Sequence, residues 1–167
     1  LYSMAEAVTN NVPGVAGIGL TGKDFDNTMH QFLNYLYSNG GQVIDPDTNT
    51  ITLNSSNTVE ALAFYGKLAN VAQEGPLAYE RSQLRDLLND KKIAMYIDGP
   101  WGRGTHNEEL NMKTVRIPAG PQGKQGTLLI TDSIAVFNNT GNEEMANKFA
   151  AMVTSPEWQY KLDTNGA

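Results

Sequence analysis

The sequence predicts an α/β fold, and three features carry that expectation. Apolar or small-residue runs at 15–20 and 93–97 have the length of buried strands. Segments of helical periodicity, at about 27–38, 57–73 and 80–90, lie between them. Turns rich in glycine, proline and asparagine separate the two kinds of segment, and alternating strands and helices mark the class.

Residues 1–8 have the pattern of the last turns of a helix. The run at 15–20, with Gly17 and Gly19 inside it, is the first strand. Asp24 or Asp26 is placed to cap the helix at 27–38, whose apolar face holds Met29, Phe32, Leu33 and Leu36. Asn39-Gly40-Gly41 ends it. Around Asp45-Pro46-Asp47-Thr48-Asn49, the runs 42–44 and 50–53 form strand, turn and strand. Ser55 or Ser56 caps the next helix, for which Val59, Leu62, Ala63, Leu68 and Val71 are the expected buried face. The helix at 80–90 leads into the strand at 93–97, which stops at Asp98 and turns at Gly99. Pro100 suits the first position of a short helix, so Trp101 stands at a strand-to-helix corner. Strands are also expected near 114–117 and over 127–137, the latter interrupted by Thr131-Asp132-Ser133, with a polar crossing loop between them. Asn142 and Glu143 start a helix to about Val153, and Pro156 opens another, for which Asn165-Gly166-Ala167 is the stop signal.

Composition narrows the function. The 167 residues are 40% hydrophobic and 18% charged, the balance of a globular chain. The net charge of −6, with 12 scattered basic residues and Lys91-Lys92 the one adjacent pair, argues against nucleic acid as a partner. No run of 18 apolar residues is present to cross a membrane as a helix. Cysteine is absent, which removes disulfides, thiolate metal sites and a cysteine nucleophile. Residues 1–8 have the pattern of the last turns of a helix and the sequence given stops at a helix-stop signal, so the expectation is a fragment of a longer protein.

Several motifs invite chemistry. Gly17-Ile18-Gly19-Leu20-Thr21-Gly22 matches a dinucleotide fingerprint, but no hydrophobic strand precedes its first glycine, and the glycines fall inside the strand. The segment from Asp45 opens like a calcium loop, yet Thr50 and Ser56 stand where glycine and a bidentate glutamate are needed, so a hairpin turn is expected. His30 and His106 lack metal-ligand spacing; each suits a surface or helix-cap position, and no metal or cofactor is implied. Asp98 and Asp132 both close strands. They rank first as acceptors for ligand hydroxyls and second as the paired carboxylates of a glycoside-processing enzyme. In open α/β sheets the strand-end corners face the ligand crevice. Trp101 is thus either a stacking surface or a core residue that shields the sheet end.

Taken in order along the chain, further segments resemble the extracellular solute-binding proteins of ABC sugar importers. Tyr37 to Asp45 is similar to that family's helix end and glycine pair, and Asn54 to Leu68 to its helix of pattern N-s-s-x-x-V-x-A-L-x-F-y-x-x-L. Lys92 to Gly102 resembles its k-x-A-M-x-i-x-G-P-W segment, the most specific piece, and Ile117-Pro118-Ala119-Gly120-Pro121 its l-P-a-G-P loop. Ile134 to Phe137, Met145 to Phe149 and Ser155 to Gln159 are similar to its closing strand and helices.

That resemblance implies one lobe of a two-lobed clamp that closes on its ligand about a hinge. Residues 1–127 would be most of the second lobe, 128–133 a hinge crossing and 134–167 a partial return into the first lobe. The implied function is non-enzymatic: binding of a carbohydrate, an oligosaccharide in particular, and delivery to ABC permease subunits. The implied location is the outside of a bacterial cell, at the surface or in the periplasm, with any lipid anchor lying outside this chain. Trp101 matches the family's sugar-stacking tryptophan. His30 falls near a stacking tyrosine of maltodextrin-binding members, Asp132 and Ser133 fall at the hinge crossing, and Asp26 and Asn27 at a helix start. Another polar solute such as glycerol phosphate is the alternative cargo, although no cluster of Arg or Lys suggests a phosphate pocket.

Overall fold

Three extended segments lie side by side in the computed structural model, which describes residues 1–165. Residues 16–20 occupy the middle. Ala16 bridges Ile93 and Ile18 bridges Ala72, both in parallel. Backbone bonds from Ala16 N–H to the Lys92 carbonyl (2.9 Å), Ala94 N–H to Ala16 (3.0 Å) and Gly19 N–H to Met95 (2.8 Å) tie the middle segment to 92–95. On the other side Ile18 N–H reaches Val71 (3.2 Å), and then the Gln73 side chain takes over from the backbone. Its carbonyl oxygen accepts from Leu20 N–H (2.9 Å) and its amide donates to the Leu20 carbonyl (2.6 Å). The expected strands at 15–20 and 93–97 therefore pair, through isolated bridges rather than continuous ladders.

Helices flank these segments: α1 Tyr2–Asn11, α2 Asp26–Ser38, α3 Ser56–Leu68 and α4 Arg81–Asn89. Between α2 and α3 a hairpin pairs β1 Ile44–Asp45 with β2 Thr50–Ile51, antiparallel. The Asp45 carboxylate accepts from Asp47 N–H (2.9 Å) and lies 3.4 Å from Thr48 N, so it closes the turn. The core has three parts. Ala5, Ile18, Leu20, Tyr35, Leu68 and Val71 join α1, α2 and α3 to the middle segment. Leu33, Leu36 and Ala61 join α2 to α3, and Leu84, Leu88 and Ile93 join α4 to the third segment. The glycines serve close packing: a methyl on Gly17 would overlap the backbone of Ala5 on α1.

Four expectations change. The helix α2 begins at Asp26 with Phe25 at its N-cap, and neither Asp24 nor Asp26 caps it; Asp26 instead places its charge in the first turn. Met29, expected on the buried face of α2, is 51% exposed, whereas Leu33 and Leu36 are buried. On α3 the buried row is Thr58, Ala61 and Leu68 with partly buried Phe64 and Tyr65, while Val59, Leu62 and Ala63 face outward. The two aromatic rings bury more area than the valine and leucine opposite, so they decide which face turns in. The segments 114–117 and 127–137 form no strand pairing among the described residues, and Val115 and Leu129 are largely exposed. Periodicity tells which side chains share a face; it does not supply a neighbouring edge.

The chain divides into two compact units, Leu1–Leu128 and a second that begins at Leu129. The second contains α5 Glu143–Val153 and α6 Pro156–Thr164, close to the expected boundaries. Glu143 accepts from Thr140 N–H (2.7 Å), and Lys148–Glu144 and Lys161–Glu157 pair along exposed helix faces. Met145 and Phe149 of α5 are exposed. Asn165 is the C-cap of α6, and the rest of the expected stop signal, residues 166–167, lies outside the described residues.

Replacing Gln73 by Ala leaves the buried N–H and carbonyl of Leu20 without partners. An unpaired buried polar group costs about 1–3 kcal/mol, so Gln73→Ala is expected to lose roughly 2–4 kcal/mol in urea denaturation. A loss below about 0.5 kcal/mol, the scale of a neutral surface change, would show that the amide does not complete the pairing.

Candidate functional site

The carboxyl ends of the parallel segments meet the amino-terminal turns of α2 and α4. One side chain of α2 ties two of those ends together. Gln31 is buried; its oxygen accepts from Thr21 N–H (3.2 Å) and its amide reaches the Ile97 carbonyl (3.4 Å). Tyr65 of α3 closes the group, donating to the Thr21 carbonyl (2.6 Å). Ile97 immediately precedes Asp98, so this network sets where the corner begins.

Past Ile97 the chain turns at Gly99 into a 3-10 stretch, Pro100–Thr105, with Pro100 at the expected first position. The Asp98 carboxylate organises the turn. Its Oδ1 accepts from Gly99 N–H (2.8 Å) and lies 3.4 Å from Arg81 Nε. Its Oδ2 accepts from the Tyr96 hydroxyl (2.5 Å) and lies 3.9 Å from His106 Nε2. The Tyr96 oxygen is itself 3.3 Å from His106 Nε2, with the two rings edge to face. A methyl on Gly102 would overlap Asp98 Oδ2, so a larger residue here would displace the Asp98 carboxylate.

Trp101 stands beside this cluster and is 45% exposed. The Arg81 guanidinium lies over its ring, 4.7 Å from the centroid. Such a contact is worth about 0.5–1 kcal/mol at an exposed site. A methyl on Gly99 would overlap the indole. The ring is thus held by neighbours and still presents surface to solvent, which does not fit a residue that shields a core.

The amino-terminal turn of α4 extends the site toward α2. Glu80 caps α4 in a reciprocal box with Gln83 and accepts from Asn27 Nδ2 (3.1 Å). The Tyr79 carbonyl accepts from Gly22 and Lys23 N–H (3.3 and 3.2 Å). A row runs from Asn27 through Glu80 and Arg81 to Asp98 and Trp101. Of the residues singled out from sequence, Asn27, Asp98 and Trp101 belong to it. Asp26 is exposed at the start of the same helix as Asn27, and His30 is partly buried one turn on. Asp132 and Ser133 belong to the second unit, where both are exposed.

Asp98, expected as an acceptor for ligand hydroxyls, has both oxygens beside protein partners and a side chain that is 14% exposed. One expectation is corrected. His106 was expected at the surface, but its side chain is 6% exposed, beneath the turn. The sequence reading missed Glu80, Arg81, Tyr96 and the role of His106. One signal was available: alternate residues of an extended segment share a face, which puts Tyr96 and Asp98 side by side.

A hollow of about 1200 Å³ lies between the first unit's core and the segment 112–121 and reaches the corner, with Tyr96, Asp98, Gly102 and His106 among its walls beside Tyr2, Phe64 and Met95. Neither Trp101 nor Arg81 lines it, and its walls are chiefly apolar. The row at Trp101 borders this hollow through Asp98.

The family described as bacterial extracellular solute-binding protein matches residues 1–160. A Brucella abortus (strain 2308) protein described only as a binding protein is 30% identical over 154 residues, covering 89% of this chain and 37% of that protein. A Brucella suis biovar 1 protein of the same description matches to the same extent. The chain therefore spans little more than a third of the length of the curated relatives it matches. Among solved structures, maltose-bound T. maritima MalE3 is similar with a TM-score of 0.76 at 22% identity, over 99% of this chain and 44% of that one. An ABC transporter solute-binding protein from Thermotoga lettingae with α-D-tagatose gives 0.68 at 23%, over 98% and 43%. Another, from Agrobacterium radiobacter K84 with ribitol, gives 0.73 at 19%, over 99% and 44%. At these identities the likeness establishes the α/β fold of part of those proteins.

The Tyr96 hydroxyl provides a pH test of the cluster. Burial, and then its hydrogen bond to the Asp98 carboxylate, hold its pKa well above the ordinary tyrosine value. A proton held more tightly in the folded chain than in the unfolded one stabilises the fold at lower pH. That contribution is lost as pH rises past about 10, where unfolded tyrosine ionises. The melting temperature of wild type should fall more steeply than that of Tyr96→Phe above about pH 10. Tyr35 and Tyr65, shifted in the same direction, remain in both proteins. Equal slopes would remove Tyr96 from the account.

Proposed function

Because the chain belongs to the bacterial extracellular solute-binding proteins, we propose that it carries one wall of a carbohydrate site, oligosaccharide in particular, and serves delivery to an ABC permease. The observation that carries this reading is the half-exposed Trp101 ring, braced by Arg81 at the carboxyl ends of the parallel segments. A pyranose presents a face of C–H groups to an aromatic plane and directs its hydroxyls outward to polar groups. Asn27, Asp26 and His30 at the start of α2 are the polar groups proposed for those hydroxyls, with Asp132 and Ser133 contributing from a hinge crossing at 128–133. On this reading residues 1–127 are most of one lobe and 134–167 a part of the other. Binding energy closes the lobes, and the closed form is the one the permease takes up.

Three solved structures similar to this chain hold maltose, tagatose and ribitol, which supports a hydroxyl-rich solute. The engagement of both Asp98 oxygens counts against the alternative of a glycoside-processing pair with Asp132. The family name supports a site of action outside the bacterial cytoplasm. No helix among the described residues is long and apolar enough to cross a membrane, and attachment by a lipid anchor is part of the proposal.

Calorimetry on the full-length protein with maltose, tagatose, ribitol and glycerol phosphate tests this function. Trp101→Ala is expected to weaken the tightest of these by roughly tenfold, the equivalent of about 1.4 kcal/mol, with little change in melting temperature. Unchanged affinity, or turnover of an oligosaccharide by the wild type, would contradict the proposal.

A further inference from the structure

We infer that Arg81 is a positioning residue that fixes the plane of the Trp101 indole and leaves its opposite face to the solute. The inference rests on the reading of Trp101 as a stacking surface and adds the residue that makes the surface rigid. Four observations converge on it. The Arg81 guanidinium sits 4.7 Å from the indole centroid. Its Nε is paired with Asp98 Oδ1 at 3.4 Å, so the group is tethered at one nitrogen while its central carbon lies over the ring. Asp98 is held in turn by Gly99 N–H and the Tyr96 hydroxyl, and that hydroxyl lies 3.3 Å from His106 Nε2. Finally, Gly99 leaves space that a methyl would take from the indole.

The chain of restraint has a fixed origin. Arg81 is the first residue of α4, directly after the Glu80 N-cap, so the helix start determines where the guanidinium can reach. Glu80 is in turn bonded to Asn27 on α2. A tryptophan on a short 3-10 stretch with no such brace would sample several rotamers. Holding one of them before the solute arrives lowers the entropy cost of binding. Arginine suits this role because its guanidinium is planar and accepts an ion pair at its edge while stacking with its face. Lysine offers a point charge with no plane.

The test uses the full-length protein labelled with 5-fluorotryptophan, with the Trp101 resonance assigned by its loss in Trp101→Phe. Arg81→Met removes the charge and the plane, and is expected to displace and broaden the Trp101 ¹⁹F line. Arg81→Lys keeps the charge beside Asp98 and is expected to leave the line displaced. Asp98→Asn, which frees Arg81 from its tether, is expected to broaden it as well. Circular dichroism matching wild type confirms that each variant folds. A Trp101 line unchanged in Arg81→Met, or restored to its wild-type position in Arg81→Lys, would overturn the inference. Titration of wild type with maltose, tagatose and ribitol separates the two claims. If none of them moves the Trp101 line while Arg81→Met does, the stacking function fails and the positioning role of Arg81 stands.

Discussion

A row of polar side chains on α2 is the constraint on which the arrangement of the first unit depends. Gln31, Asn34 and Ser38 lie on one face of the helix, and all three are buried. Buried polar groups are costly unless bonded, so each fixes a partner. Gln31 takes Thr21 and Ile97, the ends of two neighbouring extended segments. Asn34 accepts from the Thr127 hydroxyl (3.0 Å), and Ser38 bonds with both backbone groups of Gly126. An apolar α2 would pack as tightly but would leave the position of those segments along the helix undetermined. The polar row specifies that register, and through Ile97 it specifies where Asp98 begins the turn that delivers Trp101.

The corner at Asp98–Trp101 inherits this ordering. Asp98, in the family pattern G-P-W one residue before the glycine, acts here through other side chains: it holds Arg81, Tyr96 and His106 in one cluster. The division of labour is physical. Side chains beneath the turn are partly buried and linked through Asp98, while the aromatic ring above them is half open. Rigid support under an exposed apolar plane is what a stacking site requires, because the stacking contact itself has little directionality to enforce an orientation.

How much of this was legible in the sequence differs by element. The helices were, since their apolar and capping residues recur at helical spacing: α4, α5 and α6 fall close to expectation. The corner at Asp98–Trp101 was legible because Gly99 and Pro100 punctuate it. Facing was less so. On α3 two rows of side chains compete, and only the presence of Tyr35 opposite Phe64 and Tyr65 makes the aromatic row the buried one. Strand pairing at 114–117 and 127–137 was not legible, because a strand is defined by its neighbour. The family resemblance picked out Trp101, yet Arg81 and His106 were missed. The role of Arg81 arises from contacts across 17 to 20 residues of chain, and that of His106 from burial of its side chain beneath a turn that composition does not reveal.

The most direct measurement of the central claim is a crystal structure of the full-length protein with a bound sugar. The account predicts a pyranose ring lying flat against the Trp101 indole on the face away from Arg81, with hydroxyls reaching the start of α2. A sugar seated elsewhere, with Trp101 free of contact or the Arg81 guanidinium itself between ring and solute, would contradict it.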